Sequence, residues 1–178
     1  MPGHEGQGIP QNLYKTIPID ILNLATGTTP PAAVAVDRFR GYGYTVADDA
    51  DFEFMVPNDW VLGTDIDVYF EWCCNETYAA NTGEVNWQLD WETIGTGQVV
   101  GAGTVGTPNT TGDTAIPTAA REKTVAVLSL DAADLARRDL VRCILSRIAL
   151  TGGGANPVQE PEVYSVVVEY AAYFSSAK

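Results

Sequence analysis

The sequence predicts an all-β chain: an antiparallel β-sandwich, jelly-roll-like, with an extended N-terminal arm and at most one short helix. Three observations predict it. First, the stretch GEVNWQLDWE alternates without a fault, with Val85, Trp87, Leu89 and Trp91 on one side and Glu84, Asn86, Gln88, Asp90 and Glu92 on the other. Side chains of a strand alternate between faces, so this is a strand with one dry and one wet face. Second, the same device recurs along the chain, as expected where antiparallel sheets bury one face and wet the other. Third, the connections are long and rich in Gly, Thr and Pro, which suits Greek-key or jelly-roll crossings better than a tight meander.

Residues 1–33 read as the arm and residues 34–178 as the sandwich domain. In the arm Gly and Pro recur (Pro2, Gly3, Gly6, Gly8, Pro10, Pro18, Pro30, Pro31), and prolines block ladders and helices alike. It is nevertheless apolar. Leu13, Ile17, Ile19, Ile21 and Leu24 are the residues expected to bury themselves, either on the chain's own sandwich or on a neighbouring subunit. Full burial is worth roughly 1.5 to 3 kcal/mol per side chain.

Strands follow in series. FEFMV places Phe52, Phe54 and Val56 on one face, and Pro57-Asn58-Asp59 marks a turn. DIDVYFEWC places Ile66, Val68, Phe70 and Trp72 inward and Asp65, Asp67, Tyr69 and Glu71 outward. Through the loop NETYAANT it is read as a long-looped hairpin with GEVNWQLDWE. Trp87 and Trp91 are core residues whose indole N–H groups need partners or a wet edge. TVAVLSL, CILSRIAL and YSVVVEYAAYF complete the set, the last with Tyr164, Val166, Val168 and Tyr170 on one face. The expected core is thus Phe52, Phe54, Val68, Phe70, Trp72, Trp87, Trp91, Val166 and Val168. One short helix is expected over AADLARR, capped by Ser129 or Asp131, with Arg137 and Arg138 at its C-terminal end.

Composition narrows the partners. With 10 basic and 23 acidic residues the formal net charge is -13, which disfavours a surface that tracks phosphate, so neither nucleic acid nor an anionic membrane is expected. No apolar run approaches the roughly 20 residues of a membrane span, and the start MPGHEGQGIPQNLYK lacks the regions of a signal peptide, so the chain is expected to be made in the cytoplasm. Cys73, Cys74 and Cys143 form no disulfide framework. Cys73 and Cys74 point to opposite faces and do not converge on one metal.

No catalytic set emerges. His4 is the only histidine and sits among glycines, without the supporting groups a general base needs. The acidic run ADDAD, Ala47 to Asp51, reads as a solvated turn, since the D-x-[DN]-x-[DN]-G loop of a calcium site is absent. Glu84 and Asp90 lie roughly 20 Å apart along a strand, too far to flank one glycosidic bond. The sequons at Asn75 and Asn109 matter only in a secreted protein, and Gly152-Gly153-Gly154 reads as a loop before the last strand. Tyr42, Tyr44, Tyr69 and Tyr78 offer rings for a sugar-stacking surface but read more simply as sheet packing. Neither cofactor nor metal is expected.

The succession FEFMVPNDWVLGTDIDVYFEW, TGEVNWQLDWETIGTGQ, DLVRCILSRIAL and EVYSVVVEYAAYF resembles a family of tailed-bacteriophage virion proteins with a jelly-roll or related β-sandwich domain. Pro57, Gly63, Trp72, Gly83, Val85, Trp87, Arg147, Glu169 and Tyr170 carry the likeness, which covers residues 34–174. The resemblance implies a structural, non-enzymatic virion protein. Its main form is a capsid decoration (cement) protein, a homotrimer on the outer surface of the phage head that binds the major capsid protein and links neighbouring capsomers. An arm of 33 residues spans up to roughly 100 Å when extended, enough to cross a subunit boundary. The alternative it implies is a head-fibre or tail protein that binds a receptor or carbohydrate.

Overall fold

The computed structural model of the chain describes residues 13–20, 25–36, 39–78 and 82–173. In chain order its strands are β1 (Leu13–Ile19), β2 (Ala25–Thr26), β3 (Ala32–Val36), β4 (Phe39–Gly43), β5 (Asp49–Met55) and β6 (Ile66–Cys74). There follow β7 (Glu84–Ile94), β8 (Thr104–Val105), β9 (Asn109–Thr110), β10 (Thr114–Ala115), β11 (Thr124–Leu130), β12 (Leu140–Ile148) and β13 (Pro161–Ala172). The first sheet has the order β11-β6-β13-β4-β3, with β1 also on β13. The second has the order β10-β7-β12-β5-β2, with β8 and β9 on β7. Strand pairing within both sheets is antiparallel throughout.

Consecutive long strands change sheets: β5 lies in the second, β6 in the first, β7 in the second, β11 in the first, β12 in the second and β13 in the first. This alternation is the jelly-roll crossing pattern, and it corrects the hairpin expected between β6 and β7. Both strands carry a complete dry face, so they are packed face to face instead of edge to edge. Trp87 shows why: its ring lies 5.3 Å from Phe70 and 5.9 Å from Trp72, both edge-on, and 5.3 Å from Tyr44. Such contacts add to the area term that drives the two sheets together.

Phe52, Phe54, Val68, Phe70, Trp72, Trp87, Trp91, Val166 and Val168 are all buried in one cluster between the sheets. Trp91 donates to the Thr107 carbonyl at 3.2 Å, and Gly106 lies against its ring where any Cβ clashes with the indole. Trp72 and Trp87 lack a hydrogen-bond partner for Nε1 among the described residues; ring-edge packing takes the place of the polar partner expected there. Arg147, also buried, donates to the Tyr44 carbonyl at 2.8 Å and to Asn156 Oδ1 at 3.0 Å. Burial lowers its pKa.

Three further expectations are revised. The arm, over its described part, is paired into the sandwich of its own chain: Leu13–Ile19 pairs with Val166–Ala172, and Ile17 and Ile19 pack on the core while Leu13 stays exposed. Residues 25–26 and 32–36 pair with β5 and β4. Ile21 and Leu24, like His4, lie outside the described residues. The helix is a single 3-10 turn, Ala132–Asp134, whose N-cap Asp131 accepts from the Ala133 N–H. Arg137 lies beyond it and donates to the Trp60 carbonyl, so its charge serves a loop and not a helix end. Finally, β13 carries a bulge between Val163 and Ser165. A bulge shifts the alternation by one residue, so Val163, not Tyr164, joins Val166 and Val168 inside.

Candidate functional site

That bulge creates the most distinctive surface of the molecule. It turns Tyr164 onto the outer face of the first sheet, and Gly41 in β4 makes room: a Cβ there meets the Val163 carbonyl and the Tyr164 ring. At the start of β4, Phe39 is 70% exposed. Phe39 and Tyr164, with the edge of Trp72, line a groove of about 210 Å³. Its rim is polar, formed by Glu71 of β6 with Arg121 and Lys123 from the turn that leads into β11.

Each polar group has a defined environment. Lys123 pairs with Glu71 at 2.7 Å. Arg121 donates through Nε to Asn75 Oδ1 at 3.0 Å. Its backbone is left-handed, with φ of 63°, a conformation uncommon for any residue but glycine. The turn that imposes it is closed by the Arg121 N–H donating to the Cys74 carbonyl at 2.7 Å and by the Ala119 N–H donating to the Glu122 carboxylate at 3.1 Å. Cys73 forms part of the groove wall, with its thiol 3.7 Å from Glu162, and the Tyr164 hydroxyl donates to that same carboxylate. Burial, followed by the bond to Glu162, pushes the Tyr164 phenol far up, and burial raises the Cys73 thiol. Both therefore stay protonated near neutral pH. The groove presents rings, hydrogen-bond donors and a guanidinium, with no activated nucleophile on its wall.

Two other depressions are already engaged in holding the fold. A shallow polar hollow beside the 3-10 turn is larger, about 550 Å³. Its Asp139 accepts from the Ala136 N–H, its Gln98 from the Gly95 N–H, and Arg137 lies over the Tyr173 ring. A smaller one, about 130 Å³, lies between Trp91 and Arg142 on the second sheet. There Arg142 pairs with Asp51 and Glu92.

The acidic turn is likewise accounted for. Asp48 accepts from the Thr45 N–H, Asp49 from the Thr29 N–H, and Asp51 faces Arg142. Among the described residues no group of three His, Cys, Asp or Glu is placed to hold a metal ion. Of the four tyrosines weighed for sugar stacking, Tyr44 is fully buried, Tyr42 and Tyr78 pack on the core, and Tyr69 donates to Glu169 at 3.2 Å. Sequence reasoning missed Phe39 and Tyr164. Phe39 sits in FRGYG without a clear alternation, and the bulge that exposes Tyr164 has no marker in YSVVVEYAAYF.

No protein-family model and no curated protein sequence matches the chain. Solved structures do. The chain is similar in fold to a family 35 carbohydrate-binding module from Clostridium thermocellum, with a TM-score of 0.50 and 12% identity over 86% of this chain and 97% of that one. It is also similar to the xylan-binding module CBM15, with a TM-score of 0.50 and 13% identity over 90% of this chain and 99% of that one. At such identities the likeness establishes the β-sandwich fold.

Proposed function

We propose that this chain is a non-catalytic carbohydrate-binding module whose site is the groove between Phe39 and Tyr164. One observation carries the reading: an exposed aromatic ring and a second ring turned outward by a bulge border a groove rimmed by Arg121, Lys123 and Glu71. Sugar rings present C–H faces that pack on aromatic rings and hydroxyls that need fixed donors and acceptors, so a mostly apolar groove with a few polar groups fits them. The two modules of similar fold are described as carbohydrate-binding and xylan-binding, and the groove gives that activity a place in this chain. The phage resemblance of the sequence supplies a setting: the receptor-binding part of a head fibre or tail.

Capsid decoration is the second reading of the same resemblance. It draws on an apolar arm free to leave its own domain, and Leu13–Ile19 is instead hydrogen-bonded along β13, with Ile17 and Ile19 on the chain's own core. That placement favours the glycan reading. The test is retention of the full chain on immobilised xylan and pectin, wild type against Phe39→Ala. Retention that the substitution abolishes supports the module. Equal passage of both proteins through every polysaccharide, with saturable binding to undecorated phage heads, overturns it in favour of decoration.

A further inference from the structure

We infer that the groove selects a sugar that carries a carboxylate, a uronic acid, with the acid group on Arg121. This inference rests on the carbohydrate-binding reading and adds to it the chemistry of the ligand.

The argument starts from the charges around the groove. In a chain of net charge -13, the rim carries two cations among the described residues, Arg121 and Lys123, and they are not equivalent. Lys123 is paired with Glu71. Arg121 meets only the neutral amide of Asn75 through Nε, and no carboxylate lies within ion-pair distance of it among the described residues. The remaining carboxylates nearby have other duties. Glu162 accepts from Tyr164 and lies against Cys73, and Glu122 closes its own turn by accepting from Ala119 N–H and Thr118 Oγ1. Among the described residues the Arg121 terminal nitrogens are thus the one cationic end at the groove that no internal carboxylate neutralises.

Its backbone points the same way. A residue with a long side chain at φ of 63° is held there only where its surroundings over-determine it. The surroundings here are the Arg121 N–H bond to the Cys74 carbonyl and the Glu122 lock, which fix the turn whose Arg121 side chain lines the same groove as Phe39. A guanidinium presents parallel N–H donors that match the two oxygens of a carboxylate. A hexopyranose carboxylate is joined directly to the ring, so ring and acid are held a bond apart. That spacing suits a ligand whose ring face lies on Phe39 while its carboxylate meets the adjacent guanidinium. A neutral sugar leaves that guanidinium without an acceptor of matching charge.

Calorimetric titration of the full chain with galacturonate oligomers, the same oligomers as methyl esters, and neutral xylo-oligosaccharides tests the inference. The free acid is expected to bind at least tenfold more tightly than its methyl ester, and the difference is expected to shrink as salt is raised. Arg121→Gln is expected to bring the affinity for the free acid down to that for the ester. The ester comparison is made on the unaltered protein, so it stands even if the variant folds poorly. Equal affinity for acid and ester overturns the acidic-sugar inference and leaves the carbohydrate reading intact. Failure of all three ligands to bind overturns both.

Discussion

The two sheets are alike inside and differ outside. Their inner faces meet in one continuous apolar core. On the outer face of the second sheet, Asp49, Asp51 and Glu53 of β5 and Asp90 and Glu92 of β7 flank Arg142 of β12, which stands opposite Glu53 on one side and Glu92 on the other. On the outer face of the first sheet stand Tyr14, Phe39, Val125 and Val127, all exposed, among Asp67, Glu71 and Glu169, with Tyr164 beside Phe39. A face of ordered charges keeps a β-sandwich soluble. Met55 and Val105 are exposed on the second sheet too, but among the described residues only on the first do outward rings border a groove with a polar rim, and exposed apolar surface of that kind marks a place of contact. The difference is the ground for the proposal that recognition belongs to the first sheet.

The largest effect tests what the faces share. Trp87→Ala removes the ring that Tyr44, Phe70 and Trp72 surround, and chemical denaturation should report a loss of about 3 to 5 kcal/mol. A loss under about 1 kcal/mol would mean that the core is not centred there. Next comes the charged face. Arg142→Ala strips the partner from Asp51, whose side chain is only 10% exposed, and should cost about 1 to 3 kcal/mol, the scale for a buried polar group left unsatisfied. Polysaccharide retention should be unchanged by it. If retention falls, recognition is not confined to the first sheet.

How much of this was legible in the sequence follows from the same division. Alternation reports burial against water, so it identified the inner residues of β5, β6 and β7 and the two indoles of GEVNWQLDWE. It carries no information on which sheet a strand joins, and the hairpin inferred for β6 and β7 became a face-to-face packing. Proline in TIPI weighed against a strand, yet Pro18 sits in β1, whose recorded pairing is with β13 alone, and an edge strand tolerates a residue without an N–H. The groove was hidden for two reasons. Tyr164 reaches the surface through a one-residue bulge that the apolar run of β13 does not announce, and Phe39 and Arg121 are brought to it by a strand and a turn distant in sequence.

The third prediction separates recognition from stability. Phe39→Ala deletes a ring that is mostly in solvent, so its unfolding free energy should change by less than about 0.5 kcal/mol. Stacking by an aromatic of this size is worth roughly 1.5 kcal/mol or more, so retention on polysaccharide should fall by about tenfold or more. Lost retention with lost stability would show that the ring supports the fold instead.

The smallest effect concerns neither outer face but the loops at one end of the sandwich. Asp113 accepts from the Thr151 and Gly152 N–H groups, from the Thr151 hydroxyl and from Asn86 Nδ2. These bonds, led by that from the Thr151 N–H, hold its carboxyl below the usual range. A lowered folded pKa means that the carboxylate contributes stability above the ordinary value of about 4, and that this contribution is lost as pH falls through the folded value. Since Asp113 is only partly covered, the expected result is local: the protection of the Thr151 and Gly152 amides, corrected for their intrinsic exchange rates, should fall on acidification below about pH 4, and Asp113→Asn should show the lowered protection at neutral pH. Binding at the Phe39 groove should not follow it. A parallel loss of polysaccharide affinity at neutral pH in Asp113→Asn would tie the loop end to the groove and dissolve the separation between the two sheets' roles.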